Sequence, residues 1–488
     1  MAFRTNGTPN GTLWAFGKNR RVNLGRVAVF AVFAAFVQSA FAGTYGGGSG
    51  EPNDPYLIYT PQQLNEIGAT PADWAKCFKL MADPNLSCYT GTQFNRIGSS
   101  GSFTGTFDGN NHTVSNFTYT SSTTDYVGLF GALGSGGQIK NLGLTNVNVT
   151  GYNYTGGLVG RNYKGTVTNC YATGTVTGYF CTGGLVGENY WGTITNSYAT
   201  GNVTGHYDYT GGLVGENDSS STITKCYATG NVTGSDYHTG GLVGENDGSS
   251  TITKCYATGS VTGYDCTGGL VGYNDGTITN SYATGSVTGS GDCTGGLVGE
   301  NIDTINNCYA AGDVTGQWDY TGGLAGYNWY GTITNSYATG SVTGGSYTGG
   351  LVGYRDAGSV TASFWDIETT GQSTSAGGIG KTTAEMKTKS TFTTAGWDFV
   401  GEVTNGTKDI WRMCVDGASY PLLWCQFPAG DFDCPDGVDL EDLAFFVPYW
   451  LKTNCAAAGD CRHTDINISG TVDITDLSLF AMHWLEEP

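Results

Sequence analysis

Apolar residues in the middle of the chain come in short runs broken by Gly, Thr and Asn, and the pattern returns at a nearly fixed interval. GGLVG begins at Gly156, Gly183, Gly211, Gly240, Gly268 and Gly295, recurs as GGLAG at Gly322 and GGLVG at Gly349, and is anticipated by VGLFG at Val127. Successive starts lie 27 to 29 residues apart. Between them runs a second block, represented by GTITNSYATGNVTG at residues 192–205, in which β-branched and aromatic runs are separated by Gly or Asn. Each run alternates with the period of a strand, so one repeat predicts one three-sided coil. A lone coil cannot bury its apolar side, but coils stacked in register set Leu on Leu and Val on Val and build one continuous core. The expected fold is mainly β: a right-handed parallel β-helix (β-solenoid) of about nine coils. At ~4.8 Å per strand such a rod is on the order of 40 Å long.

Alternation assigns the side chains. Leu185, Ile194 and Val203 point inward, as do the small residues at 170, 197, 226, 255, 281, 308 and 336 and the alanines equivalent to Ala199. Placing both Ile194 and Ser197 inside requires a bend at Asn196, a residue that tolerates the left-handed conformation; Lys225 and Lys254, at the same place, do so less readily. The bend sends Tyr171, Tyr198, Tyr227, Tyr256, Tyr282, Tyr309 and Tyr337 outward as a vertical row. Such a row either braces the sheet by mutual stacking or offers flat apolar surface to sugar rings. Loop aromatics differ from coil to coil, and Trp191, Trp318 and Trp329 join the tyrosines as candidate ligand-binding residues. A polar column of Asn162, Asn189, Asn217, Asn246, Asn274, Asn301 and Asn328 can bond rung to rung. Glu188, Glu216, Glu245 and Glu300 precede four of these and could hold calcium or serve an acid–base pair. A group repeated along the array singles out no catalytic coil, so no catalytic residue is expected.

The ends read differently. Residues 1–42 form a signal peptide by pattern, with Lys18, Arg20, Arg21 and Arg26 before an apolar run at residues 27–37 and Ala40-Phe41-Ala42 at a cleavage site. The run is short for a membrane span and no later segment approaches one, so the mature chain is expected to be exported, to the cell surface or beyond, without a transmembrane segment. Residues 43–125 suggest an N-terminal cap and irregular first coils, 126–366 the regular solenoid, and 367–426 a C-terminal cap in which residues 383–392 form one helix over the open end.

Composition narrows the partners. A formal charge of −20 with only 21 Lys and Arg excludes a nucleic-acid face. Fourteen cysteines in an exported chain suggest disulfides, with Cys77/Cys88 and Cys414/Cys425 the nearest pairs in sequence and buried thiols the alternative.

Residues 427–488 change character. Asp465, Asn467, Ser469, Thr471, Asp473 and Asp476 fall at positions 1, 3, 5, 7, 9 and 12 of a loop with Gly470 at position 6, the hard-oxygen array that calcium needs. A second copy lies 34 residues earlier, with Asp431, Asp433, Asp439 and Asp442 at positions 1, 3, 9 and 12 but Pro435 at position 5. The following helices repeat their apolar residues, Leu443, Phe446, Trp450 and Leu451 being mirrored by Leu477, Phe480, Trp484 and Leu485.

Two resemblances attach to these residues. GGLVGEN followed by NSYATGNVTG resembles the GLUG motif of bacterial surface and secreted proteins, which include adhesin-like chains and some immunoglobulin-cleaving metallopeptidases. It implies a surface-exposed β-solenoid and leaves activity open. Such peptidases carry an HExxH zinc helix, and none of His112, His206, His238, His463 and His483 sits in one. The tandem loops resemble a type I dockerin, a small all-α, EF-hand-like module that docks onto a cohesin domain. In that family positions 10 and 11 choose the partner, and here they are Leu440-Glu441 and Ile474-Thr475.

Two functions compete. One is a non-catalytic binding or adhesion protein, contacting a polysaccharide or cell-surface glycan and attached through the calcium module to a cohesin-like partner, or merely stabilised by it. The other is a polysaccharide lyase or glycoside hydrolase of a cellulosome-like system, an analogy drawn from fold and company.

Overall fold

Paired glycines decide how closely the coils pack. A Cβ on Gly240 would lie 1.9 Å from the Val243 carbonyl oxygen, and one on Gly241 would lie 2.1 Å from the Gly269 oxygen of the next coil. The backbone therefore turns at this step with no room for a side chain, which is why Gly-Gly recurs in the repeat. In the computed structural model, which describes residues 45–402, 404–427, 430–432, 438–453, 455, 464, 466, 469, 471–482 and 484, the repeats wind into a parallel β-solenoid of about 11 turns, two more than the motif count implies. The extra turns come from residues before Val127, where Tyr56–Ile58, Cys77–Leu80 and Thr106–Asp108 already pair in parallel without the motif. The signal-peptide segment, residues 1–42, lies outside the described residues.

Each coil contributes to four ladders rather than three. Thr-Ile-Thr segments form a 12-stranded sheet, Val-Gly-Glu-Asn segments a 9-stranded sheet, and Thr-Gly segments an 8-stranded sheet. Tyr-Ala and Val-Thr segments share the fourth. The fourth ladder arises because the Gly-Gly-Leu step splits one expected strand in two. Register is residue on residue, as in Ile194 on Ile223 and Val186 on Val214. Leu185, Ile194, Val203, Ser197 and Ala199 are all buried, as alternation required. The bend is real: φ is 49° at Asn196, and Lys225 and Lys254 adopt it too, at 53° and 56°. Neighbouring coils impose it there, overriding the residue preference.

The first coils hold a Phe-rich core of Phe78, Phe94, Phe103, Phe107, Phe117 and Phe130. A helix at Pro61–Ala69 accompanies them, started by a Thr60/Gln63 capping box and burying Leu64 and Ile67. Beyond the last coil the expected single helix is two, Thr383–Met386 and Lys389–Thr394, interrupted at Lys387-Thr388. They and a strand pair, Trp411–Arg412 with Leu422–Leu423, surround a cluster of Met386, Phe392, Trp397, Phe399, Trp411 and Leu423. That cluster packs sideways onto Tyr309, Tyr337 and Phe364 instead of only closing the end.

The proposed disulfides are absent. Cys77, Cys88 and Cys425 are free thiols, Cys414 is bonded to a different cysteine, and Cys455 is also disulfide-bonded. Cys170, Cys226, Cys255 and Cys308 are buried thiols that line the inner corner. At the C-terminus, helices Leu440–Phe446 and Ile474–Met482 bring Phe446 and Phe480 to 5.5 Å, ring centre to ring centre, over buried Val472. Leu443 and Leu477 are half-buried, but Trp450 and Leu451 are exposed, not core. The first helix gives way at Val447-Pro448, and Leu451 adopts φ 64°, turning the chain away before those side chains reach the cluster. Leu485 lies outside the described residues. No helix among the described residues is long and apolar enough to cross a membrane.

Candidate functional site

Two repeated columns serve the scaffold. The asparagines donate from Nδ2 to the next coil's Oδ1 at 2.7 to 2.8 Å from Asn162 through Asn328, every one of them fully buried. The tyrosines stack at 4.6 to 5.1 Å between ring centres with planes within 9° of parallel. Each ring face is thereby covered by its neighbours, leaving edges and hydroxyls outward. Tyr171, Tyr198, Tyr227, Tyr256 and Tyr282 are half-buried, but Tyr309 and Tyr337 are enclosed by the C-terminal cap, Tyr337 donating to the Pro421 carbonyl at 2.6 Å and Tyr309 accepting from Gln426 Nε2 at 2.7 Å. The three candidate tryptophans do not meet. Trp191 and Trp329 share one corner with four strands between their own, and Trp318 stands at another.

Variation concentrates at that other corner, on the residue before each Thr-Gly-Gly. Tyr154, Cys181, Tyr209, His238, Cys266, Cys293, Tyr320 and Tyr347 follow one another there, all with φ between 45° and 62°. The left-handed turn recurs whichever residue stands there, so the side chain is free to differ while the backbone is not. This is the signal that alternation alone passes over: one position holding Tyr, Cys and His in turn inside an otherwise constant repeat.

The corner side chains meet the glutamate column. Arg161 Nε lies 2.5 Å from Glu188 Oε2, and its guanidinium lies over the Tyr190 ring. Cys181 Sγ donates to Glu216 Oε2 at 3.1 Å. His238 Nδ1 lies 2.7 Å from Glu245 Oε2, with the imidazole between Tyr209 at 5.4 Å and Tyr273 at 4.7 Å. Burial raises the Glu216 carboxyl to about 8, against the Cys181 hydrogen bond and with the help of Glu188 and Glu245. Glu188 and Glu300 are raised in the same direction, chiefly by burial. Outside this line runs a rim of exposed Tyr207, Tyr237, Tyr264 and Trp318 beside Asp208, Asp265 and Asp292. Phe180 stacks on Tyr207 at 5.0 Å and 9°. Aromatic faces beside hydrogen-bond acceptors suit a ligand with apolar C–H faces and many hydroxyls.

In the C-terminal module Asp431, Asp442 and Asp476 are fully buried carboxylates. Asp442 and Asp476 accept the backbone N–H of Asp439 and Asp473 at 3.0 and 2.8 Å, so each residue at position 12 folds back toward position 9. Asp433, Asp465 and Asn467 lie outside the described residues. Ser469 Oγ lies 3.1 Å from the Thr471 carbonyl. Leu440, Glu441, Ile474 and Thr475 are all exposed.

The GLUG motif model matches residues 151–177, 178–204, 206–233, 235–262, 263–288, 290–315 and 320–343. Halomucin of Haloquadratum walsbyi is 38% identical over 141 residues, 28% of this chain and 2% of that protein. A candidate Gly-rich membrane protein of Evansella cellulosilytica is 37% identical over 150 residues, 29% of this chain and 17% of that one. The chain thus spans a small part of these relatives' length. A solved structure, a candidate immunoglobulin A1 protease from Bacteroides ovatus, covers 78% of this chain and 96% of its own at 20% identity and a TM-score of 0.40. Seven tandem GLUG motifs are what this chain stacks into its solenoid.

Proposed function

We propose that this is an exported, non-catalytic binding protein whose right-handed solenoid presents the variable corner to a polysaccharide or cell-surface glycan. One observation carries the reading: the position before each Thr-Gly-Gly varies among Tyr, Cys and His, and beside it exposed aromatics and carboxylates line one edge of the solenoid. A uniform rod supplies rigidity, and recognition resides where the coils differ. The name of one partial relative, a Gly-rich membrane protein, accords with a place at a membrane.

The C-terminal residues would hold the protein in place through a calcium-dependent, dockerin-like module. Buried Asp442 and Asp476 with hard oxygen donors suit calcium, and buried Asp431, at position 1 of the first set, also meets Arg412 Nη1 at 3.4 Å. Asp431, Asp439, Asp442, Ser469, Asp473 and Asp476 would hold it, with Asp433, Asp465, Asn467 and the Thr471 carbonyl completing the two sets. Exposed Leu440 and Ile474, 70% and 65% accessible at the two helix starts, are apolar surface for a cohesin-like partner.

Incubating the mature chain with plant and algal polysaccharides in calcium, while following both retention and product release, tests the proposal. Retention without products that falls in Trp318→Ala and Tyr207→Ala supports it. A second reading, a polysaccharide-degrading enzyme, is favoured by Glu216, a carboxyl kept protonated near neutrality as a general acid must be. Reducing or unsaturated ends that vanish in Glu216→Gln would establish that reading and sink the first.

A further inference from the structure

Cys266 and Cys293 occupy the variable corner on adjacent coils, where most other coils carry Tyr or His. They are opposed because the next residues pair in register, Thr267 with Thr294 and Gly268 with Gly295. The ligand atoms of Asp265, Cys266 and Cys293 all lie within 4.8 Å of one another. Cys266 Sγ is 3.9 Å from Asp265 Oδ1 and 3.5 Å from Glu300 Oε2. The two thiols are 5% and 6% exposed, close beneath the surface, and Asp265 is half-buried at the rim. We propose that Asp265, Cys266 and Cys293 form a zinc-type metal site that clamps two neighbouring coils and leaves its fourth position for an exogenous ligand.

The geometry suits a tetrahedral ion. Bonds of about 2.3 Å to sulfur and about 2.0–2.2 Å to oxygen place tetrahedral donors roughly 3.4–3.8 Å apart. Cys266 Sγ already stands 3.9 Å from Asp265 Oδ1 and all three ligand atoms lie within 4.8 Å of one another, and side-chain rotation closes the rest while the stacked backbone stays fixed. Two thiolates select a zinc-type ion and disfavour calcium, which the all-oxygen loops at the other end of the chain suit. Binding releases the two thiol protons, so affinity rises with pH. The competing chemistry is oxidation of the same pair, in which an Sγ–Sγ bond forms, both thiol protons leave and two electrons pass to an external oxidant, destroying the ligand set.

The mature chain, reduced, stripped with chelator and resupplied with calcium, should bind one equivalent of Co²⁺ with a thiolate-to-cobalt charge-transfer band that Zn²⁺ displaces. Cys266→Ser and Cys293→Ser should lose the band, and Cys181→Ser should keep it. Asp265→Asn, at a half-exposed position that leaves the core untouched, should weaken binding about tenfold or more. Absence of the band in the wild type, its survival in Cys266→Ser, or a Cys266–Cys293 disulfide in peptides of protein isolated without reductant each overturns the proposal.

Discussion

Asn246→Ala tests whether the asparagine column is a major brace of the solenoid. Asn246 accepts from Asn217 Nδ2 at 2.8 Å and donates to Asn274 Oδ1 at 2.8 Å and to the Ser250 carbonyl at 3.4 Å, with no exposure to solvent. Truncation strips partners from a buried N–H of Asn217 and a buried Oδ1 of Asn274, while the Ser250 carbonyl still accepts the Thr277 N–H at 2.9 Å. Each stranded group costs about 1–3 kcal/mol, and no water reaches them unless the cavity fills, so about 2–6 kcal/mol is expected in total. Asn162, the first of the column, is the internal control. It donates to Asn189 Oδ1 at 2.7 Å and to the Gly165 carbonyl at 3.2 Å, but its own Oδ1 accepts nothing, because Leu133 stands opposite on the preceding coil. Asn162→Ala therefore strands one donor fewer and should cost about 1–3 kcal/mol less. Urea unfolding of the mature chain followed by far-UV circular dichroism compares the midpoints, and hydrogen exchange locates the loosened coils, since repeat arrays need not unfold in two states. Equal losses in the two variants, or a loss below about 1 kcal/mol in Asn246→Ala, would refute the reasoning.

Other outcomes follow from single contacts. Glu216 has a folded-state carboxyl raised from 4.5 to about 8, so the folded chain holds a proton that the unfolded chain releases. Its contribution is complete below pH 4.5 and declines as pH rises to about 8. Glu216→Gln should flatten this slope, and stabilise the protein above pH 8 by an amount on the order of a few kcal/mol, as thermal melts across pH will read. Tyr337→Phe removes the 2.6 Å hydrogen bond to Pro421 and should loosen the C-terminal cap by about 1–3 kcal/mol, seen as faster proteolysis near Trp411, whereas Tyr171→Phe should be neutral. Asp476→Ala should abolish calcium-dependent stabilisation of the C-terminal module in calorimetry of the mature chain, with unchanged calcium response refuting the loop assignment. Gly240→Ala drives a Cβ to 1.9 Å from a backbone oxygen and should prevent proper stacking, measured as loss of soluble secreted protein.

The repeat unit was legible along the chain because a solenoid is quasi-one-dimensional: each coil touches its neighbours, so period and register follow from local sequence. Inward Leu185 and Ile194, the bend at Asn196 and the Asn column needed only alternation and stacking to be inferred. The first coils were under-counted because Cys77–Leu80 and Thr106–Asp108 join the sheet through backbone hydrogen bonds that require no motif. The tyrosine row shows the limit from the other side. Its outward direction was readable, but that its faces cover one another and that Tyr309 and Tyr337 lie beneath the cap came from contacts with residues as distant in sequence as Pro421. The same holds for the disulfides: nearness in sequence pairs Cys77 with Cys88 and Cys414 with Cys425, but Cys77, Cys88 and Cys425 are free thiols. The sequence by itself determined what repeats, since repetition is a local property. Only the tertiary structure decided which non-repeating side chains meet, because His238 finds Glu245, and Cys266 finds Cys293, only once backbone register has brought their positions together.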